Sequence, residues 1–188
     1  MPSFLRPVCM AGLCWLILAG AQAAEPATAQ TPSPAASANC QADGWDMNRE
    51  LQAFARTPES ATAGSSTARL PLLHRGTLYA LRLQAQGEVH FVQPPGRPGK
   101  AVTPMAGLSH FTVSAAGRYR ITVDSPLWID VVTAQGVIPP SAYTGWHECS
   151  VYRKSVDYTL GAGQTVTLQF SDAATDLVKV TIEPPPAS

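Results

Sequence analysis

The chain has 188 residues, with 13 Lys and Arg against 13 Asp and Glu, and only 14% of it is charged. Its longest basic run is Arg153-Lys154, which argues against nucleic acid and against a polybasic membrane patch, since both need a concentrated positive field. The length suits one domain with a real core.

The N-terminus has three parts. Arg6 is the only charge before the apolar run Ala11 to Ala19 (AGLCWLILA), and Ala21-Gln22-Ala23 follows at once. A helix that spans a bilayer needs about 20 residues, so the run is short, and a small-x-small site behind it is what signal peptidase reads. Residues 1–23 are expected to be a secretory signal peptide, placing the mature chain in the periplasm or outside the cell with no remaining membrane span. The alternative, an uncleaved anchor, is disfavoured by the adjoining cleavage site. Cys9 and Cys14 lie before or within the apolar run, so no Cys stands where a mature lipoprotein would begin.

Processing would leave Cys40 and Cys149. In an oxidising compartment an isolated pair is most simply a disulfide. The alternative is two free thiols in a metal or redox site, but no Cys-x-x-Cys is present.

Residues 24–39 are rich in Ala, Pro, Ser and Thr and hold almost no large apolar side chain, so they are expected to be a disordered lead-in. Residues 40–188 are expected to form one domain. Gly44 to Ala55 (GWDMNRELQAFA) reads as a short amphipathic helix, with Asp46 as cap and Met47, Leu51, Phe54 and Ala55 at helical spacing. Arg56 to Ala68 is small and polar, a loop. From Gly76 onward the period becomes two. Thr77–Gln84, Glu88–Val92, Leu108–Val113, Arg118–Val123, Leu127–Val132, Val151–Leu160, Gln164–Phe170 and Leu177–Ile182 read as strands, separated by Pro94-Pro95-Gly96, Ala116-Gly117, Ser125-Pro126, Gly161 with Gly163, and Asp172 to Asp176. The expected fold is therefore mainly β: an antiparallel, jelly-roll-like β-sandwich of about eight strands with one short N-terminal helix.

Gly117-Arg118-Tyr119-Arg120-Ile121-Thr122-Val123-Asp124, followed by Leu127 to Val132, resembles the paired strands of bacterial pre-peptidase C-terminal domains. These are small extracytoplasmic β-sandwiches that assist or anchor enzymes. The resemblance covers residues 76–135. The mature chain also resembles a group of uncharacterised exported proteobacterial proteins, through Trp45-Asp46 with Arg49-Glu50 near the first Cys, the Pro94-Pro95-Gly96 turn and the Gly-Arg-Tyr-Arg strand. Some members carry the label homogentisate dioxygenase, which implies a cupin-like iron site and a much longer chain.

The four histidines, His74, His90, His110 and His147, show neither H-x-H nor H-x-x-x-H spacing. His90 and His110 each precede a Phe on an expected strand. If those strands pair, both imidazoles share a face with Glu88, giving a candidate two-His, one-carboxylate metal set. Solvent-facing histidines are the simpler reading. His147-Glu148-Cys149 is rich in ligand types, but a disulfide would consume Cys149. No Gly-x-Ser-x-Gly elbow and no phosphate-binding Gly-rich loop occurs.

Trp128, Tyr143, Trp146 and Tyr152 gather around the segment 139–152. Tyr143 and Trp146 are candidate binding residues on a long loop, Pro139 to Glu148, that a disulfide would pin. The competing reading packs Trp146 beneath the loop beside the disulfide. Trp128, flanked by Leu127 and Ile129, is expected in the core. The residues point to a non-catalytic exported protein with a binding, accessory or envelope role and no cofactor. Its partner would be an envelope protein or a glycan. The alternative is a small metalloprotein or cupin-like oxygenase using His90, His110 and Glu88.

Overall fold

The computed structural model describes residues 40–42 and 44–184. The expected signal peptide and lead-in lie outside the described residues. One helix, α1 (Asn48–Phe54), precedes twelve strands: β1 (Glu59–Thr62), β2 (Leu72–Leu73), β3 (Tyr79–Arg82), β4 (Gln84–Ala85), β5 (Met105–Thr112), β6 (Gly117–Val123), β7 (Trp128–Thr133), β8 (Gly136–Ile138), β9 (Ala142–Gly145), β10 (Lys154–Leu160), β11 (Thr165–Ala173) and β12 (Leu177–Glu183). They form two sheets, ordered β1-β3-β12-β6-β10-β9 and β2-β5-β11-β7-β8, with β4 beside β5.

The described residues are mainly β, with one α-helix, but twelve strands replace the expected eight. Both sheets are mixed rather than antiparallel, because β1 runs parallel to β3 and β2 parallel to β5. The additional strands are short or weakly patterned. In β1, Glu59-Ser60-Ala61-Thr62 has no large apolar residue, and only Ala61 packs against the core. Its hydrogen bonds to an already formed neighbour make it a strand, not its side chains. The expected strand Glu88–Val92 does not exist. A 3-10 turn covers Gln86–Glu88, and Val89 and Phe91 instead plug a small cluster with Ala106, Leu108 and Leu70.

Alternation builds the main core as expected. Tyr79 and Leu81 of β3, Tyr119, Ile121 and Val123 of β6, Val156, Tyr158 and Leu160 of β10, and Val178, Val180 and Ile182 of β12 face Phe111, Ile129, Val131, Val166, Leu168 and Phe170 of the second sheet in one continuous cluster. Every second side chain points to one side of a strand, so each of these runs puts its apolar set on one face. Two core tyrosine hydroxyls are satisfied by backbone: Tyr158 donates across the layers to Ile129 O at 2.8 Å, and Tyr119 donates to Ala115 O in the turn before its own strand at 2.8 Å.

The opposite face of the first sheet is polar yet covered. Arg120, Thr122, Ser155, Asp157, Thr181 and Glu183 are all buried there. The cover is α1, which packs over β12, and a second apolar cluster of Cys40, Met47, Trp146, Cys149 and Tyr152. Cys40 and Cys149 are joined by a disulfide across a separation of 109 residues. The helix is shorter than expected, and Met47 rather than Asp46 occupies its N-cap, although Asp46 Oδ1 still accepts the Asn48 N–H at 3.1 Å.

Candidate functional site

Two regions concentrate polar chemistry. The first is the covered face. Arg120 donates through Nε to Asp157 Oδ1 at 2.7 Å and through Nη2 to Oδ2 at 3.0 Å, while Nη1 reaches Asp46 O at 2.8 Å. Glu50 stands 3.7 Å away, and the Trp45 ring centre lies 4.3 Å from the guanidinium carbon. Burial works against the Arg120 charge, but Asp157 and Glu50 outweigh it and hold the group above its ordinary value. All three guanidinium nitrogens bond inward, so this network clamps the N-terminal helix to the sheet and offers little to a ligand.

Trp146 belongs to the same clamp. It is 4% exposed, donates Nε1 to Ser155 Oγ at 3.0 Å, and packs edge-on against Trp45 and Tyr152. Tyr152 donates its hydroxyl to Cys40 O, and burial pushes that hydroxyl's pKa up. The expected loop Pro139 to Glu148 is partly strand, since β9 pairs with β10 from Tyr143↔Val156 to Gly145↔Lys154. Tyr143, by contrast, is 73% exposed.

The second region is a groove beside Tyr143. One chamber of about 460 Å³ and another of about 250 Å³ share Arg97, Trp128, Tyr143 and Lys154. This combined space falls in the range of ordinary ligand clefts. Trp128 is half-buried and outside the main core, contrary to expectation. Leu127 precedes the strand, so the alternation of β7 sends Ile129 and Val131 inward and leaves Trp128 and Asp130 on the other face. The indole is fixed by Nε1 donating to Asp130 Oδ1 at 2.9 Å. Arg97 and Lys154 both lie against this ring, 5.8 and 4.5 Å from its centre. Burial lowers the Lys154 pKa, and the neighbouring Arg97 charge lowers it further while Asp130 opposes both.

The wall carrying Arg97 and Lys100 is an irregular segment stitched to the second sheet by polar strand residues. Gln169 Oε1 accepts the N–H groups of Val92 and Gln93 at 2.8 and 3.1 Å. Asp130 Oδ2 accepts Gly96 N–H at 3.1 Å, and Asp172 Oδ1 accepts Lys100 and Ala101 N–H at 2.7 Å each. Asp172 sits at φ 59° where the β11 register shifts against β5, so a bulge aims its carboxylate at the loop. At Gly96 a Cβ would lie 3.0 Å from Asp130 Oδ1 and 3.1 Å from Trp128 Nε1. A side chain at the end of the Pro-Pro-Gly turn would therefore push the indole and Asp130 by a few tenths of an ångström.

Arg97, Lys100, Arg153 and Lys154 all line the groove. Among the described residues none of them has a carboxylate within 4.0 Å, whereas Arg82, Arg118 and Arg120 do. The two acids nearest the groove, Asp130 and Asp172, are occupied by the indole and by backbone N–H groups. The result is a fixed aromatic floor under a surplus of positive charge.

The candidate metal residues are not brought together. Glu88 and His90 are exposed on the 3-10 turn and the stretch after it, and the His90 N–H bonds to Ser65 O at 2.7 Å. His110 is on β5, whose neighbours are β2, β4 and β11. Without a strand at 88–92 the shared face does not exist. Among the described residues no three His, Cys, Asp or Glu side chains form a metal-holding group, and no helix is long and apolar enough to cross a membrane. His147 lines the groove and His74 is exposed. No family model, no curated protein and no solved structure matches the chain.

Proposed function

We propose that this is an exported, non-catalytic protein with a jelly-roll-like β-sandwich, acting as a binding or accessory module of the cell envelope through the groove at Trp128. The carrying observation is that four cations without a carboxylate partner among the described residues line one groove, and two of them, Arg97 and Lys154, lie over its hydrogen-bonded indole. Lys154 is the informative one: a partly buried ammonium is normally offset by an acid, whereas its Nζ donates to Leu127 O at 3.0 Å and has no carboxylate within 4.0 Å among the described residues. The disulfide accords with an oxidising compartment. The resemblance to pre-peptidase C-terminal domains accords with an accessory role, and the binding surface is the groove, with Tyr143 contributing but Trp146 serving the clamp.

The test is a titration with inorganic sulfate followed by nuclear magnetic resonance. Shifts confined to the Trp128 indole N–H and to the amides of Arg97, Gly145 and Lys154 are expected. Shifts spread over the surface, or none, would remove the groove as a binding site. N-terminal sequencing of protein from an envelope fraction should begin near Ala24; an intact Met1 in the membrane fraction would contradict export and processing.

A further inference from the structure

We infer that the groove accommodates an acidic polysaccharide, a chain of sugars bearing carboxylate groups, with Tyr143 as the stacking platform and Arg97, Lys100 and Lys154 reading the acids. This rests on the groove being the binding site and names its occupant.

Charge comes first. Arg97 and Lys154 crowd one indole and repel each other, and neither has a carboxylate partner among the described residues. An anion placed between them removes that repulsion and restores what burial takes from Lys154. The indole cannot itself stack freely on a ligand, because both cations lie against it. Its part is to hold them in place, so that less side-chain freedom is lost on binding.

Shape comes next. The two chambers share Arg97, Trp128, Tyr143 and Lys154 as lining. A single small anion would fill little of that space, whereas a chain passing from one chamber to the other could use both. Tyr143 is 73% exposed on β9 and borders the second chamber together with Pro140. An exposed ring beside a proline offers a flat apolar surface to the C–H face of a sugar. Its hydroxyl remains free to hydrogen-bond at the rim.

Acidic sugars combine an apolar ring face with a carboxylate on the same unit, the pairing that Tyr143 and the cations present. Nucleic acid fits less well. The whole chain is balanced at 13 basic and 13 acidic residues, and only Arg97, Lys100, Arg153 and Lys154 line the groove, too few to form the extended basic stripe that tracks a phosphate backbone. An acidic peptide would use the cations but has no need of Tyr143.

The test measures affinity of the purified protein for oligogalacturonate by calorimetry. The comparison ligands are a neutral glucan of equal length, poly-L-glutamate and a short single-stranded DNA. Oligogalacturonate should bind and the glucan should not. Lys154→Met and Arg97→Ala should each weaken binding about tenfold, and Tyr143→Ala should weaken it comparably with an unchanged melting temperature. Arg97 is exposed, so its variant keeps the test valid if Lys154→Met folds poorly. Equal or tighter binding of polyglutamate or DNA, or full affinity in Tyr143→Ala, would overturn the inference. If sulfate perturbs the groove but oligogalacturonate does not bind, the occupant is wrong and the groove reading survives. If neither acts there, both fall.

Discussion

Arg120 on β6 and Asp157 on β10 are direct cross-strand partners, and they hold each other with two parallel hydrogen bonds of 2.7 and 3.0 Å on a face closed off from water. A forked pair of this kind is strong when complete and damaging when broken, because the surviving charge stays buried. Asp157→Ala is expected to destabilise the fold by about 3–5 kcal/mol. Denaturant unfolding would measure it. A loss below about 1 kcal/mol would mean that Glu50, at 3.7 Å, can take over the guanidinium.

The same face predicts an unusual pH response. Burial raises the Glu50 pKa above its ordinary 4.5, against its backbone hydrogen bond and Arg120, which lower it. Burial likewise raises Glu183, against the hydrogen bond from Thr181. The native state thus binds protons more tightly than the unfolded chain at both sites. Their contribution is fully present below the ordinary carboxylate value and is lost as pH rises through the raised native values. Melting temperatures should therefore fall as pH rises above the ordinary carboxylate value of 4.5. The double variant Glu50→Gln/Glu183→Gln should flatten that slope, and an unchanged slope in the variant would assign it to other groups.

Trp146 and Tyr143 are three residues apart and should behave oppositely. Trp146→Ala empties a site walled by Trp45, Tyr152 and the Cys40–Cys149 disulfide and removes the indole N–H from Ser155 Oγ, which keeps its bond with Thr122 Oγ1. The expected loss is about 3–5 kcal/mol, the range for a large buried aromatic. Tyr143→Ala should change stability by less than about 0.5 kcal/mol. Similar losses in both would indicate that Tyr143 packs more tightly in solution than its exposure suggests.

The disulfide closes a loop spanning 109 residues, and on the chain-entropy account its removal should cost about 4–5 kcal/mol. The paired variant Cys40→Ser/Cys149→Ser, compared with the native protein by denaturant unfolding, gives the value. Thiol alkylation of unreduced native protein should label neither cysteine, and labelling of both would refute the bridge.

Much of the β architecture was legible because it is written locally. Gly117 to Val123 and Leu177 to Ile182 alternate cleanly, and each puts its apolar members into the core. Strands β1, β2, β4, β8 and β9 were not legible, since they are short and owe their existence to the strands they pair with, which for β1, β2 and β4 are distant in sequence. The groove was hidden for a related reason. Arg97 and Lys154 meet over Trp128 only because Gln169, Asp130 and Asp172 stitch an irregular loop to the sheet. A signal was present in those same residues. Asp130 lies between Ile129 and Val131, and Gln169 between Leu168 and Phe170. A polar residue in such a strand marks a face that something polar must cover. Trp128 was misassigned to the core because Leu127 and Ile129 were read as making both faces apolar, whereas the two share the core face and alternation turns Trp128 to the other side.

The loop tether can be tested without touching a charged groove residue. A Cβ at Gly99 would lie 2.7 Å from Asp172 Oδ1 and 3.2 Å from its carboxyl carbon. That carboxylate is held by Lys100 and Ala101 N–H at 2.7 Å each, so it cannot swing away without losing both. Gly99→Ala should therefore free the Lys100–Ala101 segment while leaving the core intact. The cost should be about 1–2 kcal/mol, since the broken bonds are charge-assisted but lie near water. Amide hydrogen exchange at Lys100 and Ala101 is the direct readout, and both should lose protection. Gly87→Ala is the control, because a Cβ there meets nothing within 4 Å. Sulfate affinity should fall in Gly99→Ala and hold in Gly87→Ala, since Arg97 and Lys100 are carried by the tethered segment. Retained protection at both amides would show that the Asp172 carboxylate does not hold this wall in place. Lost protection with full sulfate affinity would shift anion binding onto Arg153 and Lys154 alone.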